Sequence, residues 1–172
     1  MHGFLIILAG VLVISAIIIY IRNKENFVEI PSLSSFDIVK ENNIIVTNNT
    51  DTIYDQSFEF NGKLHIFKHL NIPVDGELVI NSKYYWQLNR KMRTGKQPRS
   101  KTMLENIKPY IDYQNPNSNT IKYVIVSDCY NFMRVINENE MEIVKESTEG
   151  FQMIIVRQSA LDKLLKKIII NQ

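Results

Sequence analysis

An uncharged apolar run near the amino terminus constrains this chain more than any other feature. Residues 3–21 read GFLIILAGVLVISAIIIYI and contain no charged side chain. As an α-helix with a rise of about 1.5 Å per residue, such a run extends close to the ~30 Å thickness of a bilayer's hydrocarbon core. The run therefore predicts a transmembrane signal-anchor over residues 1–22, represented by Gly3, Phe4, Leu5, Ile14 and Ile21.

A buried core helix and a cleaved signal peptide share this composition. A core helix is rarely apolar on every side for five turns, because one face usually meets solvent. A signal peptide has a cationic start, a shorter apolar region and a small-residue cleavage site. This run starts after Met1-His2 and ends at Tyr20-Ile21-Arg22. The sequence therefore favours an anchor that is not cleaved.

The charges that flank the run predict which side of the membrane the rest of the chain occupies. Arg22 and Lys24 follow the run directly, whereas only His2 and the amino terminus precede it. The positive-inside rule places residues 22–172 on the cytoplasmic side, or on a side continuous with it such as the nucleoplasm. The single cysteine, Cys129, agrees, since lumenal domains often contain disulfides. The glycosylation sequon at Asn48 would indicate the opposite side, but one sequon is expected by chance in a chain this rich in asparagine.

The remainder of the chain predicts a short stalk and one soluble domain. Residues 23–35 contain Pro31 and a serine-rich stretch, which argue against a continued helix. Residues 36–172 have the length of a single domain. The whole chain carries 20 Lys and Arg against 18 Asp and Glu, a net charge of +2. Such a balance excludes a protein that coats nucleic acid by bulk charge.

Strand patterns dominate the predicted domain, and the predicted class is α+β. Asn61-Gly62 lies between apolar flanks and predicts a β-hairpin over residues 57–67. Either its turn has two residues, which pairs Phe60 with Lys63 and requires both faces to be partly covered, or its loop is longer. Further strands are expected over 43–47, 77–80, 122–127, 132–136, 141–145 and 151–157, with a turn at 149–150. Because the last four strands follow one another at short intervals, an antiparallel meander is predicted. Helices are expected from 81 or 82 to 93, and after Thr102 in a capping box closed by Pro109.

The chain ends in a predicted amphipathic helix that Ser159 caps. Its cations occupy one face and its apolar side chains the other. Packing on the sheet is the expected role of the apolar face, with docking to a partner or to the membrane surface as alternatives. The candidate docking face comprises Leu161, Leu164, Leu165 and Ile168.

No pattern in the sequence indicates catalysis. His65 and His69 have the spacing of helical zinc ligands, but His65 lies in a predicted strand, where both are expected on the sheet surface. Ser127-Asp128-Cys129 places a nucleophile beside a carboxylate, yet cysteine catalysis also needs a nearby histidine. Cys129 is expected to be a small buried side chain. The sequence predicts no enzyme, metal, cofactor or small-molecule substrate.

A basic segment is the second candidate contact site. It holds six cations and no acid within twelve residues. Such a segment can contact an acidic protein, anionic lipid headgroups or, least favoured here, nucleic acid. It can also be a solvated loop without a partner. The six cations are Arg90, Lys91, Arg93, Lys96, Arg99 and Lys101.

The predicted layout of this chain resembles that of a known group of proteins. An amino-terminal anchor is directly followed by Arg22 and Lys24 and then by a small α+β domain. Envelope proteins of large insect DNA viruses share this layout, among them the baculovirus per os infectivity factors, and the length is similar to that of their 19-kDa member. The resemblance covers about the first 24 residues. Some infectivity factors are rich in cysteine, from which this chain departs.

The resemblance implies a location and a role. In such proteins the apolar run and the basic residues after it act as a sorting signal to the host inner nuclear membrane. The mature protein is then a virion-envelope subunit of a multiprotein entry complex needed for oral infection, with its domain facing outward.

Three functions are therefore open to this chain. The first is a non-catalytic, single-pass subunit of a membrane complex whose partners are other anchored proteins and the bilayer. The second is an accessory subunit of a mitochondrial or bacterial inner-membrane complex. The third is a membrane-tethered enzyme that uses His65, His69 or Cys129.

Overall fold

The computed structural model of the protein describes residues 36–49, 53–90, 100–115 and 119–170. These residues form two packed β-sheets, with one helix from each end of the described chain against the outer side of one sheet, which confirms the α+β class. The predicted anchor, the stalk and the basic residues that flank the anchor lie outside the described residues. Within the described ranges, no helix has the length and apolar character needed to cross a membrane.

Sheet A has the strand order β1-β2-β3-β7-β11-β10, and sheet B has the order β6-β5-β4-β8-β9. The strands of sheet A are Thr47–Asn48 (β1), Gln56–Phe60 (β2), Lys63–Leu70 (β3), Asn119–Val126 (β7), Ser147–Gly150 (β10) and Met153–Arg157 (β11). Those of sheet B are Gly76–Ile80 (β4), Trp86–Arg90 (β5), Ser100–Met103 (β6), Asn131–Asn137 (β8) and Glu140–Ile143 (β9). The described residues also form three short α-helices, Asp37–Glu41 (α1), Lys108–Asp112 (α2) and Leu161–Ile170 (α3).

The prediction of an antiparallel meander is wrong at the centre of both sheets. β7 lies parallel to both β3 and β11, and β4 lies parallel to β8. The reason is that β3 and β7 each lead out of sheet A into the next strand of sheet B, so neither folds back on its successor. Both sheets are therefore mixed, with antiparallel pairs at their edges.

A buried hydroxyl joins the two chain crossings between the sheets. Ser127 follows β7, and its Oγ accepts a hydrogen bond from the Ile72 backbone N–H at 2.6 Å. The same hydroxyl lies 2.8 Å from the Ile72 carbonyl oxygen, to which it donates. The Ser127 backbone N–H also donates to the Leu70 carbonyl at 3.1 Å. These bonds hold the β3–β4 and β7–β8 crossings side by side.

Sheet A is buried on both faces, which produces two separate cores. The inner core lies between the sheets and takes the alternate side chains of β3 and β7 that face sheet B, such as Ile66 and Val124. The outer core lies between sheet A and the helices α1 and α3, whereas the buried side chains of α2 belong to the inner core. The fully or largely buried members of the outer core are Phe36, Val39, Phe58, Phe67, Tyr123, Ile125, Val156, Leu161 and Leu165.

The carboxyl-terminal helix α3 packs as predicted, with its apolar face on sheet A. Leu161 and Leu165 are buried in the outer core, and Leu164 and Ile168 pack against it. The proposed docking face is therefore covered by the protein's own sheet, which corrects its interpretation as a partner site. Ser159 does not cap α3, because its hydroxyl donates to Asp128 Oδ1 at 2.8 Å and a 3-10 turn, Gln158–Ala160, leads into the helix.

The helix predicted from 81 or 82 to 93 is wrong: its described part holds the strand β5. Trp86 and Leu88 point into the inner core, while Gln87 and Asn89 point to the other face of sheet B. Side chains that alternate between two faces in this way are typical of a strand. In the sequence, the three consecutive aromatic residues before Gln87 obscure the alternation. Thr102 likewise lies in β6, and Pro109 lies in the first turn of α2 rather than after its end.

Two hairpins in sheet A have turns with left-handed backbone conformations at both central residues. Asn61 (φ 50°) and Gly62 (φ 69°) form the predicted two-residue turn, with Phe60 paired to Lys63. Phe151 (φ 57°) and Gln152 (φ 62°) form the second, so the predicted turn at 149–150 is wrong and those residues end β10. A type I′ turn favours Asn-Gly, because other side chains are strained at positive φ.

Replacing Gln152 with glycine is expected to raise the free energy of unfolding by about 1 kcal/mol, since glycine adopts a positive φ without steric cost. Gly62→Ala is the matched control, and we expect it to lower the free energy of unfolding. No atom lies within 4 Å of an added Cβ at Gly62, so only its positive φ makes that change unfavourable. Urea unfolding of both variants measures the two effects. A destabilised Gln152→Gly variant would contradict the strain at this turn.

Candidate interaction surface

The outer face of sheet B carries a continuous row of side chains that runs across all five strands. Its members are direct cross-strand neighbours, and each lies on the face opposite to the inner core. Four of the five are apolar. The row comprises Met103, Gln87, Val79, Met133 and Ile143.

At the β8–β9 end this row widens into an apolar patch. Val135 and Met141 are paired one step along from Met133 and Ile143 on the same face. Met141 is 58% exposed and Ile143 is 61% exposed. The solvent-facing side of a sheet is usually polar, so a group of exposed apolar side chains there indicates a contact surface. We call Met133, Val135, Met141 and Ile143 the sheet B patch.

A polar network borders the patch and fixes the centre of the outer face. The Asn89 Nδ2 donates to Glu77 Oε1 at 2.9 Å, and the Asn131 Nδ2 donates to Glu77 Oε2 at 3.4 Å. The Gln87 amide in turn donates to the Asn89 side-chain oxygen. One carboxylate thereby links β4, β5 and β8, and the amides of the largely buried Gln87 and Asn89 have partners. These bonds hold β8, one of the two strands that present the patch, in register with β4 and β5, while β9 is joined to β8 by the backbone ladder.

His65 lies in the outer core, which corrects its prediction as a sheet-surface side chain. It is 2% exposed and stacks between the rings of Phe58 and Tyr123, with centroid distances of 4.8 and 5.7 Å. Its Nδ1 lies 3.0 Å from the Tyr123 hydroxyl. Burial, with a smaller contribution from Lys63, lowers the pKa of His65 to about 4, so the ring is neutral at physiological pH.

His69 is too far from His65 for a shared metal ion. Four residues along a strand separate two side chains by about 13 Å. The His69 Nε2 lies 3.0 Å from Gln56 Oε1, and its backbone N–H donates to Asp55 Oδ2 at 2.6 Å. Burial lowers the pKa of His69 as well. In the described part of the chain, no group of three or more His, Cys, Asp or Glu side chains is arranged to hold a metal.

The side chains of Ser127, Asp128 and Cys129 turn to three different partners. Ser127 joins the crossings between the sheets, and Asp128 accepts from the Ser159 hydroxyl. Cys129 is buried as predicted, and its thiol donates to the Asn131 carbonyl at 3.3 Å. Burial raises the pKa of this thiol, which opposes formation of the nucleophilic thiolate. The geometry gives these three residues structural roles.

The basic segment is only partly described. Arg90 ends β5, and Lys101 lies in β6, so the backbone places both ends of the segment at one edge of sheet B. The other four cations, Lys91, Arg93, Lys96 and Arg99, lie outside the described residues. The segment begins and ends in strands, rather than following the predicted helix.

A polar cleft of about 510 Å³ opens beside α2. The Tyr84 hydroxyl donates to Asp112 Oδ1 at 2.6 Å, and the Lys83 ammonium lies 3.9 Å from that oxygen. The Lys122 ammonium donates to the Ile111 carbonyl at 2.8 Å and so stabilises the end of α2. The charged groups of the cleft are therefore used in contacts within the protein. Its residues come from distant parts of the chain, which is why sequence patterns did not predict it.

The sheet B patch was not predicted either, although the sequences of β8 and β9 contain a signal for it. Residues 132–136 read FMRVI and 141–144 read MEIV, so apolar side chains occur at both parities of each strand. Such a pattern predicts strands with two apolar faces, of which only one can line the inner core.

Comparisons with protein-family models, curated proteins and solved structures find no match to this chain.

Proposed function

We propose that the protein is a non-catalytic, single-pass subunit of a multiprotein membrane complex. The sheet B patch is the observation that carries this proposal. It offers apolar side chains on β8, which hydrogen bonds to Glu77 hold in register with β4 and β5, and on β9, which is paired with β8. His65, His69 and Cys129, by contrast, are engaged in contacts within the protein.

The layer order of the fold supports a protein partner for this patch. The described chain begins at Phe36, which is buried in the outer core beneath the helices. Sheet B is the layer farthest from that core, and the patch lies on its outer face. Phe36, through which the domain would be joined to its anchor, thus lies in the layer opposite to the patch.

The resemblance to the per os infectivity factors supports a more specific proposal. The complex would be a viral envelope entry complex, and the anchor with Arg22 and Lys24 would direct the chain to the host inner nuclear membrane. The same anchor and patch also suit an accessory subunit of a mitochondrial or bacterial inner-membrane complex. The identity of the proteins that co-purify with the chain separates the two proposals.

Ile143→Glu tests the proposal directly. A charge at the centre of a protein–protein contact removes apolar burial and leaves a desolvated carboxylate, so we expect co-purifying proteins to decrease at least about tenfold. The measurement is the quantity of proteins recovered with the full-length chain from its own membrane in mild detergent.

Ile45→Glu is the matched control, since Ile45 is 83% exposed and lies in the segment before β1, in the other layer of the fold. We expect its co-purifying proteins to remain at the wild-type level. An equal loss from both variants, or from neither, would contradict the role of the patch.

A further inference from the structure

Strand β9 forms one edge of sheet B and borders the sheet B patch. Among the described strands it is paired only with β8, through Met133–Ile143, Arg134–Glu142, Val135–Met141 and, after a bulge, Asn137–Glu140. Its sequence alternates between carboxylate and apolar side chains. Met141 and Ile143 lie on the outer face, and Glu142 lies on the inner face, where the Thr148 hydroxyl donates to its carboxylate at 3.2 Å.

The hydrogen-bond pattern shows which backbone groups of β9 face the open edge. Just beyond the strand, the Val144 N–H donates to the Phe132 carbonyl at 2.8 Å. Opposed residues of an antiparallel pair alternate between bonded and non-bonded positions. Glu142 is therefore at a bonded position, and the N–H and C=O groups of Met141 and Ile143 point away from β8. They have the spacing that a further antiparallel strand requires.

The negative charge of the residues around this edge indicates which kind of partner can bind there. Residues 135–144 include Glu138, Glu140 and Glu142 and no cation. A second copy paired through the same edge would set these carboxylates against each other, which is unfavourable across a strand pair. An added strand with alternating cations and apolar side chains would place each type opposite its complement.

We propose that the β9 edge binds an extended segment of a partner subunit in which basic and apolar residues alternate, by β-strand addition. The apolar side chains of that segment would extend the sheet B patch next to Met141 and Ile143. Its cations would lie beside Glu140 and Glu142. This inference rests on the proposed function and specifies how the complex is held together.

Binding of a short capped peptide of alternating lysine and valine to the full-length protein in mild detergent tests the inference. We expect saturable binding by fluorescence anisotropy, and no binding to a glutamate–valine peptide or to micelles alone. Methylation of alternate peptide amides should weaken binding at least about tenfold, since those donors form the strand ladder.

Met141→Pro is the corresponding change in the protein. Proline is tolerated in an edge strand where its missing N–H faces outward, so the fold should persist, but the ladder loses a donor. We expect at least about tenfold weaker peptide binding for Met141→Pro, and a smaller loss for Met141→Ala, which keeps the N–H.

Charge variants give a measurement that is independent of proline's effect on the fold. The double variant Glu140→Gln with Glu142→Gln should bind the peptide more weakly and with a smaller salt dependence. Glu59→Gln, an exposed carboxylate in sheet A, should bind as the wild type does.

Three results would overturn the inference: wild-type protein that does not bind the lysine–valine peptide, equal binding to the methylated peptide, or wild-type affinity in Met141→Pro. The first would mean that the carboxylates protect the edge against pairing. A complex that persists in Met141→Pro leaves the proposed function intact and refutes only strand addition. A chain without co-purifying proteins refutes the proposed function, whatever the peptide does.

Discussion

Replacing Ser127 with alanine is expected to lower the free energy of unfolding by about 2–3 kcal/mol. The Ser127 hydroxyl contacts both the N–H and the C=O of Ile72, at 2.6 and 2.8 Å. Ser127 is largely buried, so water cannot replace these bonds without opening the crossing. Buried backbone groups left without a partner incur their full desolvation cost.

Urea unfolding of the detergent-solubilised chain measures this loss. The fluorescence of Trp86, the one tryptophan, reports on the inner core, because its side chain is fully buried there. Ser159→Ala is the matched control, since it removes an exposed hydroxyl bonded to Asp128 and should change stability by less than about 0.5 kcal/mol. If Ser127→Ala is no more destabilising than Ser159→Ala, the hydroxyl does not hold the two crossings together.

Acidification from pH 6.5 to pH 4 is expected to lower the free energy of unfolding by about 3 kcal/mol through His65 alone. Burial lowers the pKa of His65 in the folded protein from 6.5 to about 4. The unfolded chain therefore binds a proton in this range that the folded protein excludes. The resulting stability is complete above pH 6.5 and is lost as the pH falls to the folded pKa.

His65→Phe isolates this contribution, because an aromatic ring retains the stacking with Phe58 and Tyr123 but cannot be protonated. Stability curves between pH 4 and pH 7 should be clearly flatter for this variant than for the wild type. His69→Gln is the comparison: it removes the smaller contribution of His69 and should keep most of the slope. An unchanged slope in His65→Phe would show that His65 is not the main titrating group.

Local patterns were sufficient to predict many of the elements of this fold. Asn61-Gly62 predicted the position of the first hairpin, and the structure has the two-residue alternative, in which Phe60 pairs with Lys63. The apolar face of α3 and its packing on a sheet followed from helical periodicity. At these positions, residues that are close in the sequence determine the local structure.

Long-range pairing could not be predicted in the same way. The parallel contact of β3 with β7 joins segments more than fifty residues apart, and no short-range pattern encodes it. The hairpin at Phe151 and Gln152 lacks the usual turn residues, so its position depends on tertiary contacts such as Phe151 packing against the inner core. The buried position of His65 likewise depends on helices that cover sheet A.

The candidate site was predictable only in part. Strands with apolar residues on both faces were visible at 132–136 and 141–144, but which face remains open depends on the layer order. The anchor that the sequence predicts in residues 1–22 and most of the basic segment lie outside the described residues, so both stay predictions.

The native mass of the full-length protein, gently solubilised from its own membrane, tests the central claim most directly. We expect an assembly several times larger than the 20.1 kDa chain that contains other membrane-anchored proteins. Identification of those proteins would also separate a viral envelope complex from an organellar or bacterial one. A chain that migrates alone at 20.1 kDa within its detergent micelle would contradict the account.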